Sequence, residues 1–171
     1  MALLVLSVAG SDRPGLTKAL AAAVLSAGGN WLESHLSRLG GLYVGSVLVE
    51  LDSAKVEALR SAVSAVDAAG LEVRIAPAGE AIVAGETLEF SLVGQDRPGI
   101  VNQVTASLSQ LGANIETFET WLSAEAHSGA QLFHMAAHLR LPEGLKASAV
   151  QDALEAISGE IMVDVAVGAK G

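Results

Sequence analysis

The stretch Val8-Ala-Gly-Ser-Asp-Arg-Pro-Gly-Leu-Thr17 returns 84 positions later as Leu92-Val-Gly-Gln-Asp-Arg-Pro-Gly-Ile-Val101. Each copy of Gly-x-Asp-Arg-Pro-Gly lies between an apolar strand-like run and a helix-like run. At the same offset Leu16 meets Ile100, Leu20 meets Val104, Val24 meets Leu108, Gly28 meets Gly112 and Asn30 meets Asn114. Self-similarity at a fixed offset marks a duplicated structural unit. Because an equivalent run, Thr87–Gly94, recurs in mid-chain, the opening Met1-Ala-Leu-Leu-Val-Leu is expected to be a structural element and not a targeting peptide.

Working outward from the motif, each copy reads strand, helix, strand, strand, helix, strand. Leu3–Val8 is a continuous apolar run, and Leu16, Ala19, Leu20, Ala23, Val24 and Ala27 follow at helical spacing. Gly28-Gly29 ends that helix. Asn30–Leu39 and Leu42–Leu51 flank Gly40-Gly41, which signals a hairpin. Val56, Leu59, Val63 and Val66 mark a second helix, with Asp52, Ser53 and Glu57 placed to cap it, and Leu71–Ala76 is the last strand. The second copy runs from Leu88–Val93 through a helix bearing Ile100, Val104, Leu108 and Leu111, then strands Asn114–Ala124 and Leu132–Leu141. Val150, Leu154 and Ile157 lie on its last helix and Glu160–Val167 on its last strand. The fold class expected is α+β: two ferredoxin-like βαββαβ units, each a four-stranded antiparallel sheet with both helices on one face. The boundaries expected are 1–78 and 87–171, with 79–86 as linker.

Composition narrows the functional classes. The 171 residues are 51% hydrophobic but only 4% aromatic, so the cores must be built from Ala, Val and Leu. Small side chains gain less on burial, and association into a homodimer is an expectation that follows. Ten basic residues stand against 19 acidic ones, a formal charge of −9 with no basic cluster. Direct binding to nucleic acid or to an anionic membrane therefore finds no support. The chain has no cysteine, which removes thiolate catalysis and Cys-based zinc sites. No stretch approaches the ~18 apolar residues of a membrane span, and a soluble cytoplasmic protein is the expectation. His134 and His138 fall on a strand, where four residues span ~13 Å, too far to share one metal ion. No nucleophile-elbow, zinc-helix or phosphate-loop motif is present, so no cofactor, metal or catalytic residue is expected. Trp31 and Trp121 read as packing residues.

The motif itself admits two readings. Structurally, Arg13 precedes proline and is pushed toward extended geometry, which suits a helix N-cap, with Pro14 at the first helical position. Asp12 then lies beside the positive helix end, and Gly15, lacking a side chain, lets helix and strand approach closely. Functionally, a helix start opened by glycine presents unpaired N–H groups to a small anion such as a carboxylate, and Asn30 offers an amide that donates and accepts.

The segment GSDRPGLTKALAAAVLSAGGNWLE, 10–33, with its echo GQDRPGIVNQVTASLSQLGANIE, 94–116, resembles the ACT domain, a βαββαβ regulatory module that commonly binds amino acids. Two such units and little else resemble the glycine cleavage system transcriptional repressor family. The resemblance implies a small amino-acid effector, glycine or similar, held near the first strand–helix loop at an interface between two units. Carried over residue by residue, the ligand-binding candidates are Asp12, Arg13, Pro14, Gly15, Leu16 and Asn30, with Asp96, Arg97, Pro98, Gly99, Ile100 and Asn114. It further implies a non-enzymatic regulator acting through a protein partner such as a DNA-binding regulator. The alternatives are a regulatory subunit of an amino-acid or one-carbon enzyme, and a dimerisation module without effector.

Overall fold

The computed structural model describes residues 1–80, 84–157, 159 and 161–167, without the side chain of Val167. Its contacts divide the chain into two units, Met1–Ala81 and Ile82–Gly171. Unit 1 contains β1 (Ala2–Ser11), α1 (Leu16–Ser26), β2 (Asn30–Leu39), β3 (Leu42–Leu51), a 3-10 turn at Ser53–Lys55, α2 (Val56–Ala68) and β4 (Leu71–Pro77). Its antiparallel sheet has the order β2-β3-β1-β4. Unit 2 repeats this with β5 (Glu86–Gln95), α3 (Ile100–Gln110), β6 (Asn114–Ala124), β7 (Gln131–Leu141), α4 (Ala147–Glu155) and β8 (Met162–Val167), in the order β6-β7-β5-β8. The ferredoxin-like pair of α+β units is therefore observed. Of the expected last strand, Glu160 lies outside the described residues, as do 81–83 of the expected linker.

Alternation on β1 sends Leu4, Leu6 and Val8 to one side, where they are buried against Leu20 and Val24 of α1 and Leu59, Val63 and Val66 of α2. Unit 2 packs Leu88, Phe90 and Leu92 of β5 with Val104 and Leu108 of α3 and Val150 and Leu154 of α4. These are the helical stripes read from spacing, and each side chain contributes on the order of 1.5–3 kcal/mol on burial. Ile157 lies just past α4 and still packs on the core. The Gly40-Gly41 turn joins β2 and β3 with both glycines at positive φ, as a tight hairpin requires. In unit 2 a longer loop takes its place, closed by the Glu125 N–H donating to the Ala130 carbonyl at 2.8 Å.

The two tryptophans part company. Trp31 packs partly buried on the unit 1 core. Trp121 lies on the other face of its sheet, 48% exposed and stacked on His134 with ring centroids 5.2 Å apart. Its row in the sheet is shared with His134, Val93 and Met162, none of which faces the helices.

Candidate functional site

The strand–helix loop of unit 1 is built around Gly15. Its φ of 90° and ψ of −5° place it in the left-handed region, and it is the N-cap of α1. Gly99 does the same for α3, with φ 86° and ψ 0°. A left-handed conformation costs an L side chain about 1–2 kcal/mol, so glycine is required by the backbone. This corrects the sequence reading in two respects. Arg13 is not the N-cap and Pro14 is not the first helical residue; both precede the cap, and Leu16 opens the helix. The reason is the left-handed backbone at Gly15, which a proline or an arginine does not adopt and which makes the glycine the residue from which the helix starts. Nor does Gly15 admit a close neighbour, since a Cβ placed there would meet nothing within 4 Å. The close approach falls on Gly10 instead, whose Cβ would run into the backbone carbonyl of Gly70.

Because the N-cap is glycine, no side chain caps α1 or α3. The first intrahelical bond of α1 runs from the Ala19 N–H to the Gly15 carbonyl at 2.9 Å, and that of α3 from Gln103 to Gly99 at 3.0 Å. The N–H groups of Leu16, Thr17 and Lys18 precede that bond in unit 1, as those of Val101 and Asn102 do in unit 2; Ile100 reaches Arg97 only at 3.5 Å. Such groups, together with the helix dipole, form a positive mouth. The side chains of Leu16 and Ile100 turn inward and are 7% and 3% exposed. Only their backbone belongs to the mouth.

The charged residues differ between copies. In unit 1 the Asp12 carboxylate accepts from Arg38 Nε at 3.0 Å across an exposed surface. Arg13 donates from Nη2 to the carbonyl of Ala69, at the C-terminal cap of α2, where a cation suits the negative helix end. Thr17 and Tyr43 share a hydroxyl–hydroxyl bond of 2.7 Å that ties the first turn of α1 to β3. In unit 2, Asp96 has no side-chain partner among the described residues, although its N–H donates to the Gln131 carbonyl at 3.0 Å. Arg97 turns onto the helix that follows it, donating to Gln103 Oε1 at 2.6 Å. Where unit 1 has Thr17 and Tyr43, unit 2 has the apolar Val101 and Phe133. Pro14 and Pro98 stand exposed beside their glycines.

Asn30 and Asn114 are not brought to these loops. Asn30 pairs in register with Glu50, and Glu50 with Leu3, whereas the loop leaves β1 after Ser11. The eight residues from Leu3 to Ser11 put the asparagine about 26 Å from the loop along the strand direction. Asn114, level with Arg140 and Thr87, stands in the same relation to the loop after Gln95. Strand register, which spacing along the chain does not reveal, decides this. Elsewhere, His138 pairs with Glu89 at 3.6 Å and His134 Nε2 bonds Ser123 Oγ at 2.6 Å. Among the described residues no cluster of three or more metal-ligating side chains occurs, and no helix is long and apolar enough to cross a membrane.

The family model of the ACT domain matches residues 2–76 and again 86–167. The chain belongs to the ACT-domain family. It is a tandem ACT-domain regulatory protein, and both ACT units carry the loop just described. A crystal structure of a protein of unknown function from Galdieria sulphuraria superposes with a TM-score of 0.85 at 28% identity, covering 98% of this chain and 99% of the other. A protein designated a candidate glycine cleavage system transcriptional repressor superposes with a TM-score of 0.70 at 19% identity, covering 99% and 98%. At that identity the likeness is one of fold. None of the curated proteins matches the sequence.

Proposed function

We propose that this tandem ACT protein is an amino-acid-responsive cytoplasmic regulator of the glycine cleavage system repressor type, which controls a DNA-binding protein partner by contact. The observation that carries the proposal is the twinned loop. In both units a left-handed glycine opens the helix, leaves its first N–H groups uncapped and keeps the space beside them clear. A small amino acid such as glycine presents a carboxylate to those N–H groups. The formal charge of −9 favours a protein partner over DNA itself. The loops alone support this reading. Asn30 and Asn114 stand at the far end of each unit, away from that unit's own loop.

Regulation then follows from differential affinity: an effector shifts the chain toward whichever arrangement binds it better, and partner affinity changes by the same coupling. Calorimetric titration of glycine, serine and alanine into the folded protein is the test. Saturable heat that Gly15→Val or Gly99→Val removes supports the proposal, and each variant reports on one loop. The absence of heat from every small amino acid tried, with the protein folded, overturns it.

A further inference from the structure

The two loops are fastened to their units differently. In unit 1 the ties run across a sheet whose order is β2-β3-β1-β4. Asp12 pairs with Arg38 on β2, Thr17 bonds Tyr43 on β3, and Arg13 donates to the Ala69 carbonyl, where α2 turns into β4. These ties are not equal. The Asp12–Arg38 pair stands in water, and exposed ion pairs of that kind contribute little. Arg13 instead meets a carbonyl at a helix end, where such groups lack intrahelical partners. The last turn of α2 has no basic residue and carries Asp67. The motif's arginine supplies, from 56 residues away in the chain, the cation that a helix C-terminus favours. Glycine at position 70 leaves room for it, since a Cβ there would strike the guanidinium. Gly10, just before the loop, lies against the Gly70 carbonyl. The turn from α2 to β4 is therefore gripped from two sides by the segment that leads into α1.

Unit 2 lacks this grip. The last turn of α4 also has no basic residue, yet Arg97 donates to Gln103 on α3, and among the described residues it reaches neither α4 nor β8. We infer that Arg13 is a positioning residue that locks the unit 1 loop to the α2–β4 turn, so that a disturbance of either is felt at the other, whereas the unit 2 loop moves without its fourth strand. Coupling of this kind needs a physical tie that both ends bias. On the proposed regulatory reading, an effector in the unit 1 loop acts on the edge strand β4 and one in the unit 2 loop acts locally. The lock itself requires no effector.

Native-state amide hydrogen exchange, followed by NMR on the full chain, tests this. The Ala69 and Gly70 N–H groups, bonded to the Val66 and Asp67 carbonyls at 3.0 and 2.9 Å, report on the turn. They lie at an exposed helix end, which exchanges by local opening, so a loss of global stability alone leaves them unchanged. Arg13→Ala is expected to speed their exchange by about three- to tenfold. Gly15→Ala, which strains the loop, is expected to speed it when Arg13 is present and to add nothing in the Arg13→Ala background. In unit 2, Ala156 and Ile157 donate to Asp152 and Leu154 at 3.0 and 3.2 Å. Arg97→Ala and Gly99→Ala are expected to leave their exchange within about twofold. No amino acid is added, so these outcomes decide the lock whether or not the regulatory reading holds. Unchanged exchange at Ala69 and Gly70 in Arg13→Ala overturns the inference. So does an effect of Gly15→Ala that is the same with and without Arg13, or an equal response at Ala156 and Ile157 to the unit 2 variants.

Discussion

Two glycines of one motif, Gly10 and Gly15, are glycine for different reasons, and replacing each by alanine separates those reasons. At Gly15 the added methyl meets nothing within 4 Å, so the cost is the left-handed backbone alone. That is about 1–2 kcal/mol, partly offset by the ~0.4–1 kcal/mol that alanine gains by restricting the unfolded chain. The expected net loss is about 1 kcal/mol, a fall of about 4–8 °C in the melting temperature of a unit this size. At Gly10 the methyl is driven into the carbonyl of Gly70, a backbone atom held by the β1–β4 pairing. Relief requires β1 and the start of β4 to separate, so the cost falls near the upper end for overpacking, about 3 kcal/mol. Each unit contains one tryptophan, Trp31 or Trp121. Urea unfolding in a Trp121→Phe background, followed by Trp31 fluorescence, therefore reads unit 1 by itself. The reasoning is refuted if Gly15→Ala costs as much as Gly10→Ala, or if Gly10→Ala is tolerated within a few tenths of a kcal/mol.

Asp52→Ala removes the carboxylate that accepts from the Ala54 N–H at 2.9 Å and is expected to cost unit 1 about 1 kcal/mol in urea denaturation. Arg13→Ala, which loses the bond to the Ala69 carbonyl and so the tie between loop and α2, is expected to destabilise unit 1 by about 0.5–1.5 kcal/mol. Arg97→Ala breaks only an exposed contact from the loop to the helix that follows it and is expected to shift unit 2 by less, within about 0.5 kcal/mol; calorimetric melts of the two variants compare them directly. Leu20→Ala opens a cavity beside a side chain that is fully buried, with an expected loss of about 2–5 kcal/mol by the same denaturation assay.

The element order of both units was legible because a duplicated pattern supplies its own check: a stripe seen at Leu16, Leu20 and Val24 recurs at Ile100, Val104 and Leu108. Boundaries were less so. The first strand reads as Leu3–Val8 but extends from Ala2 to Ser11, since Ala9, Gly10 and Ser11 carry no apolar signal yet pair with Val44, Tyr43 and Leu42. The helix start was misplaced for a related reason. Proline has a known preference for the first helical position, but here the turn that precedes the helix is set by the sign of φ at Gly15, which a sequence does not display. Asn30 illustrates a third limit. It follows the motif closely in the repeat, yet the strand carries it to the opposite end of the sheet. Trp121 reads as a packing residue in the sequence, whereas its parity on β6 places it on the sheet face turned away from the helices, 48% exposed.

Comparison of the two loops separates what the fold needs from what each unit has made its own. The backbone is reproduced closely: φ at the cap glycine is 90° in one copy and 86° in the other. The polar groups around it are not. Unit 1 has the Thr17–Tyr43 hydroxyl pair, the Asp12–Arg38 ion pair and an arginine anchored to the neighbouring helix, while unit 2 has Val101, Phe133, an Asp96 without a side-chain partner among the described residues and an arginine turned onto the helix that follows it. A loop kept only as a turn would need the glycine and nothing in particular beside it. On the proposed regulatory reading, the two uncapped helix starts share an anion-facing mouth and the different side chains around them would set different ligand preferences. On that reading a hydroxyl-bearing amino acid would meet the Thr17–Tyr43 hydroxyl pair beside the unit 1 mouth, and an apolar one would meet the exposed Val101 beside that of unit 2. On the proposed regulatory reading, serine is therefore expected to favour unit 1 over unit 2 and alanine the reverse. Gly15→Val should then abolish the serine response with the alanine response intact, and equal loss of both would show that the loops do not discriminate.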